Sequence, residues 1–185
     1  MDNADEVQIV PYDPRWPELF QREKAHLLSC LPAGLIRRIE HFGSTAVSGM
    51  AAKPIIDMLV EVTSLDETRQ KIVPILTSQG YAHFWSPRWG PGTPRFYVWF
   101  IKRNGQGVRT HHVHMVERDF PHWDRLLFRD YLILHPEIAA EYTVLRMRLV
   151  KLHPHNRQAY TKGKTEFITR ITEEARCFYK SSLDP

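Results

Sequence analysis

The segment Ile55-Ile56-Asp57-Met58-Leu59-Val60 sets one carboxylate inside a short, β-branched-rich apolar run, and such a run dictates a buried strand. An ionised Asp in that setting needs a partner, because a charge moved out of water without compensation is expensive. Upstream, across 12 intervening residues, stands Gly43-Ser44. Gly43 can take a backbone conformation closed to other residues, so the amides of Ser44 and Thr45 are expected to face an anion. Asp57 would then hold a cation against it, the turn and the strand forming two halves of one phosphate site.

A second constellation is Thr110-His111-His112-Val113-His114-Met115-Val116-Glu117. It follows a turn at Asn104-Gly105-Gln106-Gly107 and reads as the return strand of a hairpin. Alternation along a strand puts His112 and His114 on one face, and His111, Val113 and Met115 on the other. Two imidazoles at that spacing suit a borderline metal, or a general base with an oriented partner. His111 reads as an ordinary sheet residue.

With 185 residues, 43% of them apolar and 25% charged, the chain has the material for one sizeable core, and a single domain over 1–185 is the expectation. The formal charge of +4 is modest and no long basic run concentrates it, so nucleic acid is not demanded as a partner; an anionic small molecule is slightly favoured. No segment approaches the roughly 18 apolar residues of a membrane span. The acidic start MDNADE lacks the features of a signal peptide, which points to the cytoplasm. Cys30 and Cys177 lie far apart without metal-ligand spacing and read as reduced packing residues.

Along the chain, Val7–Val10 reads as a short strand. Asp13-Pro14 reads as the start of a helix reaching about Leu31, with Asp13 as cap. Ile36–Phe42 leads into the Gly-Ser turn. Ser64 and Glu67 have capping-box spacing and open a helix that stops near Gly80, with an irregularity at Pro74. Tyr81–Trp85 returns as a strand, and Ser86–Pro94 is a loop rich in Pro and Gly. Arg95–Lys102 and Val108–Glu117 form the hairpin. Helical periods follow over Trp123–His135, Pro136–His153 and Asn156 to about Tyr179. The architecture is α+β, sheet-rich over 1–118 and helical over 119–185.

The blocks IVPYDPRWPELFQRE, HFGSTAVSGMAAKPIIDMLVEV, HHVHMVE, FRDYLILHPEIAAEY and YTKGK, in that order, resemble the GrpB family of the nucleotidyltransferase superfamily over nearly the whole chain. The resemblance implies a nucleotidyltransferase-like mixed sheet with an N-terminal helix and C-terminal helices. It also implies a small-molecule enzyme using a nucleoside triphosphate and a divalent metal, Mg, Mn or Zn. Asp57, His112 and His114 are then the catalytic and metal residues, and Gly43, Ser44, Thr45, Lys53 and Lys162 hold the nucleotide. The superfamily usually carries a second carboxylate two places along this strand, where this chain has Leu59. Glu61 shares that face but lies roughly 13 Å from Asp57 at about 3.3 Å per residue, so it replaces nothing unless the strand bulges.

Other residues invite functional readings. Lys53 precedes the Asp57 strand and suits a phosphate as well as it suits solvent; Lys162 and Lys164 flank Gly163 and could bring positive charge to a triphosphate, although solvent is the commoner place for a lysine. Arg129 and Asp130 form a candidate ion pair on an apolar helix. Trp89 is the best stacking candidate of the aromatic group, while Phe96 and Trp99 read as core. Three functions fit these features. The first is metal-dependent nucleotidyl transfer. The second is the same fold repurposed for biosynthetic proton transfer, cyclisation or ATP-dependent bond formation, which Leu59 supports. The third is a non-catalytic nucleotide or anion sensor.

Overall fold

The computed structural model describes residues 7–87 and 96–181. Trp89 and most of the Pro-rich loop lie outside them. The residues group into two compact units. One takes Arg15–Phe42 and the described residues of Ile55–Trp123; the other takes the described residues up to Pro14, Gly43–Pro54 and those from Asp124 onward. Two segments from the sheet-rich half of the sequence thus group with the C-terminal helices.

The first unit is built on a five-stranded mixed sheet. Its strands are β1 (Ile36–Phe42), β2 (Ile56–Val62), β3 (Ala82–Pro87), β4 (Phe96–Arg103) and β5 (Arg109–Val116), in the spatial order β1-β2-β5-β4-β3. β2 and β5 pair in parallel, and the flanking pairs are antiparallel. The β2–β5 ladder runs in unbroken register from Ile56 to Glu61, so no bulge brings Glu61 toward Asp57. Met58, Val60, Val113 and Met115 are fully buried on one face of this central pair. Helix α1 (Trp16–Cys30) belongs to the same face, where Phe20 stacks on His41.

Helix α1 starts later than the cap at Asp13 suggested, because Pro17 rules that start out. In a helix capped by Asp13, Pro17 would occupy the position whose N–H must reach the Asp13 carbonyl. The helix instead begins at Trp16, with Pro17 in its first turn. The Ser64 cap does form: its hydroxyl accepts the Glu67 amide at 3.2 Å and opens α2 (Leu65–Glu67). A π turn over Thr68–Ile72 then leads into α3 (Val73–Ser78). The wider turn falls just ahead of Pro74, which lacks the amide a regular helix would use.

In the second unit, Val7–Val10 is not a strand. Val10 makes a single antiparallel bridge to Ala52, and Pro11 has no N–H to carry the pairing on. The helices are α4 (Asp124–Leu134), α5 (Pro136–Leu152), α6 (Arg157–Gly163) and α7 (Thr165–Ser181). The sequence suggested one helix where α6 and α7 stand, and the break falls at Gly163-Lys164. A Cβ on Gly163 would lie 2.5 Å from Leu149 Cδ2, so the close approach of α5 explains the glycine. Leu149 packs there with Val7 and Tyr160, while Val47, Met50, Leu132 and Tyr142 form a neighbouring cluster. Cys177 is exposed and is not a packing residue; Cys30 is half-buried.

Candidate metal centre

Asp57 and His112 are cross-strand partners in the parallel β2–β5 ladder, and His114 follows two residues along β5 on the same face. Because strand neighbours in register share a face, the three side chains converge. His112 Nδ1 lies 3.0 Å from Asp57 Oδ1. Asp57, His112 and His114 each offer a ligand atom, and those atoms lie within 4.8 Å of one another. Metal–ligand bonds near 2.0–2.2 Å place donors about 3–4 Å apart, so small side-chain adjustments suffice to close the site on an ion.

Aromatic rings wall this face. Trp99 meets the His112 ring edge-on at 5.2 Å between centroids, and Tyr97 and Phe42 approach His114 at 5.6 and 5.4 Å. His122, in the turn Pro121–Trp123, lies 6.0 Å from His114 and 4.6 Å from Tyr97. Both histidines of the β5 pair and His122 are buried. His112 Nε2 and Trp99 Nε1 are themselves buried and meet no hydrogen-bond partner among the described residues. A buried nitrogen of that kind calls for a ligand. Nδ1 of His112, 3.0 Å from Asp57 Oδ1, is the nitrogen placed to share an ion with that carboxylate.

His111 points to the opposite face, as alternation required, and joins a different network. There Glu23, on the buried face of α1, accepts hydrogen bonds from the Tyr81 hydroxyl and from Lys102 Nζ, the latter at 2.5 Å. Burial alone would raise the Glu23 carboxyl, but the bonds from Lys102 and Tyr81 outweigh it and hold the group below the usual range. Burial lowers His111. Burial and the Glu23 carboxylate push the Tyr81 phenol far up.

The remaining expected residues lie in the second unit. Gly43 has φ 75° and ψ −175°, a region effectively closed to other residues, and it introduces a short 3-10 turn over Ser44–Ala46. Within the turn the Ala46 and Val47 amides bond the Gly43 and Ser44 carbonyls at 3.1 and 3.3 Å. Thr45 is buried. Lys53 lies over the ring of Tyr160, and so does Lys164, whereas Lys162 is exposed. Arg129 and Asp130 do form an ion pair, at 2.7 Å.

His122 was missed in the sequence because an isolated His in a turn carries no periodic signal. Trp99, expected in the core, instead stands on the face of the β5 histidines, edge-on to His112.

A family model described as GrpB protein matches residues 6–174. The chain belongs to the GrpB family. It is similar to the glutamate-rich protein GrpB of Alkalihalophilus pseudofirmus, 34% identical with 93% of this chain and 97% of that protein covered. It is also 41% identical to the UPF0157 protein YqkA of Bacillus subtilis over 94% of this chain, yet spans only 48% of that relative's length. The crystal structure of GrpB from Enterococcus faecalis superposes with a TM-score of 0.77 at 34% identity, covering 93% of this chain and 99% of that one. The α+β architecture is therefore a GrpB fold.

Proposed function

We propose that this GrpB protein is a divalent-metal-dependent enzyme acting on a small molecule, with Asp57, His112 and His114 as its metal centre and without nucleotidyl transfer. The convergence of the three ligand atoms within 4.8 Å carries the reading. Two imidazoles and one carboxylate are the donors of Zn, Mn or Fe rather than of Mg, which prefers an all-oxygen shell. The place where a second carboxylate would stand is Leu59, fully buried and in unbroken register opposite His114. Such a metal would polarise a substrate oxygen or lower the pKa of bound water to about 7. Asp57 fixes the His112 ring, and the Trp99 and Tyr97 walls keep water from the imidazoles.

Nucleotidyl transfer from a nucleoside triphosphate is the second reading, and the strained Gly43 turn is the observation that favours it. One experiment separates the two. Calorimetric titration of the metal-free protein with Zn²⁺, Mn²⁺ and Mg²⁺, followed by each nucleoside triphosphate, should show Zn²⁺ or Mn²⁺ binding at least about tenfold tighter than Mg²⁺. It should also show no metal-dependent nucleotide affinity. Metal-dependent nucleotide binding would move the assignment to the second reading, and absence of metal binding would remove both.

A further inference from the structure

We propose that the exposed face of α5 is a two-fold interface on which a second copy of this chain docks, its α5 antiparallel to the first and centred on Val144. Tyr142, Arg146 and Leu149 turn one side of this helix into the protein. At about 3.6 residues per turn, Glu137, Glu141, Val144, Met147, Arg148 and Lys151 share the opposite side, and each of them is exposed. Val144 is 68% and Met147 51% exposed. A branched Val in mid-helix loses rotamer freedom and gains no packing from water in return. A second apolar surface supplies that packing.

Charge selects the partner. The face is acidic at its start, apolar at its centre and basic at its end, and among the described residues the side chains of Glu141, Arg148 and Lys151 have no ion-pair partner. Glu137 pairs with the neighbouring His135, at 3.2 Å. Within one helix the like charges are the neighbours: Glu137 lies four residues before Glu141, and Arg148 three before Lys151, spacings at which they repel. An antiparallel copy reverses this. Glu137 and Lys151 stand seven residues either side of Val144, and Glu141 and Arg148 three and four, so a two-fold axis at Val144 sets each glutamate against a cation of the other copy. A parallel copy would set glutamate on glutamate. The helix macrodipole favours acid at a start and base at an end, but it does not ask for an apolar centre.

The same symmetry carries Leu152, exposed at the end of α5, to the start of the other α5, beside Ile133 and Leu134, which are exposed at the end of α4. A helix of 17 residues is about 26 Å long, so the contact is modest in area and belongs with reversible dimers rather than permanent ones. The pairing does not rest on the metal reading and is tested without metal.

The test is sedimentation equilibrium of the whole chain in chelator-containing buffer, over about 5–200 μM. Wild type should move from one chain toward two as concentration rises, and Val144→Glu should weaken the association by at least about tenfold. Glu137→Lys with Glu141→Lys makes the face wholly basic, and Arg148→Glu with Lys151→Glu makes it wholly acidic. Each double variant, folded by circular dichroism, should stay monomeric alone, and an equimolar mixture of the two should form a mixed dimer. All four changes in one chain should restore self-association. Monomeric wild type over the whole range, wild-type association in Val144→Glu, or a mixture that stays monomeric would overturn the proposal.

Discussion

Asp57 and His112, 55 residues apart in sequence, stand side by side in the parallel β2–β5 ladder with carboxylate and imidazole in contact at 3.0 Å. The pairing answers the question the sequence raises about a charged residue in an apolar strand. It also fixes which nitrogen of His112 faces the carboxylate.

Asp57→Asn tests that role. Metal affinity and activity should fall together by about 10–100-fold if Asp57 orients His112, and by more if it ligates directly. Asn still offers His112 an acceptor, so the metal-free protein should melt where wild type does, or slightly higher. A metal-free loss of about 3–5 kcal/mol would instead mark Asp57 as a structural ion-pair partner. Melting curves with and without metal distinguish the outcomes.

Acid should destabilise the sheet unit in two steps. His111 and Glu23 both hold protons more weakly in the folded state than in the unfolded chain, so proton uptake favours unfolding. Their stabilising contributions are complete above the ordinary values of 6.5 and 4.5, and each is lost as pH falls from there through the lowered folded-state value. Glu23→Gln should remove the lower step, deepen the upper one because the carboxylate no longer raises His111, and lower stability at neutral pH by about 1.5–3 kcal/mol. Denaturant midpoints between about pH 8 and pH 3 report this directly.

Gly43→Ala should destabilise the protein by about 1–3 kcal/mol, because φ 75° with ψ −175° is closed to a residue with a Cβ. Unchanged stability in equilibrium unfolding would mean the turn relaxes without strain.

Gly163→Ala should cost less than about 1 kcal/mol, because the added methyl meets only the flexible end of Leu149, with Cδ2 at 2.5 Å and Cδ1 at 3.1 Å, and Ala favours the helix. Adding Leu149→Val should recover part of the loss, a coupling that a double-mutant cycle measures.

Much of this was legible in the chain. The apolar run around Asp57 announced β2, and alternation put His112 with His114 and turned His111 away, because strand periodicity is local. The Ser64 cap was legible for the same reason. What local pattern does not carry is which strands become neighbours, so the contact between Asp57 and His112 needed the fold. Trp99 and His122 came to the site through pairings and turns with no sequence spacing of their own. The Asp13 start failed because one local signal, Pro17, overrode another. Of the two lysines flanking Gly163, only the structure separates Lys164, over Tyr160, from Lys162, in solvent.

The parallel ladder that joins Asp57 to His112 has a kinetic consequence. Antiparallel neighbours such as β4 and β5 close over a short turn, whereas β2 meets β5 only by closing a loop that holds the intervening helix, β3 and β4, and such long-range closure is slow. During refolding, metal-binding competence should therefore emerge with the last slow phase, after the hairpin has formed, which makes a bound ion a reporter of the central pairing and a ligand that slows unfolding by holding its latest-formed contact.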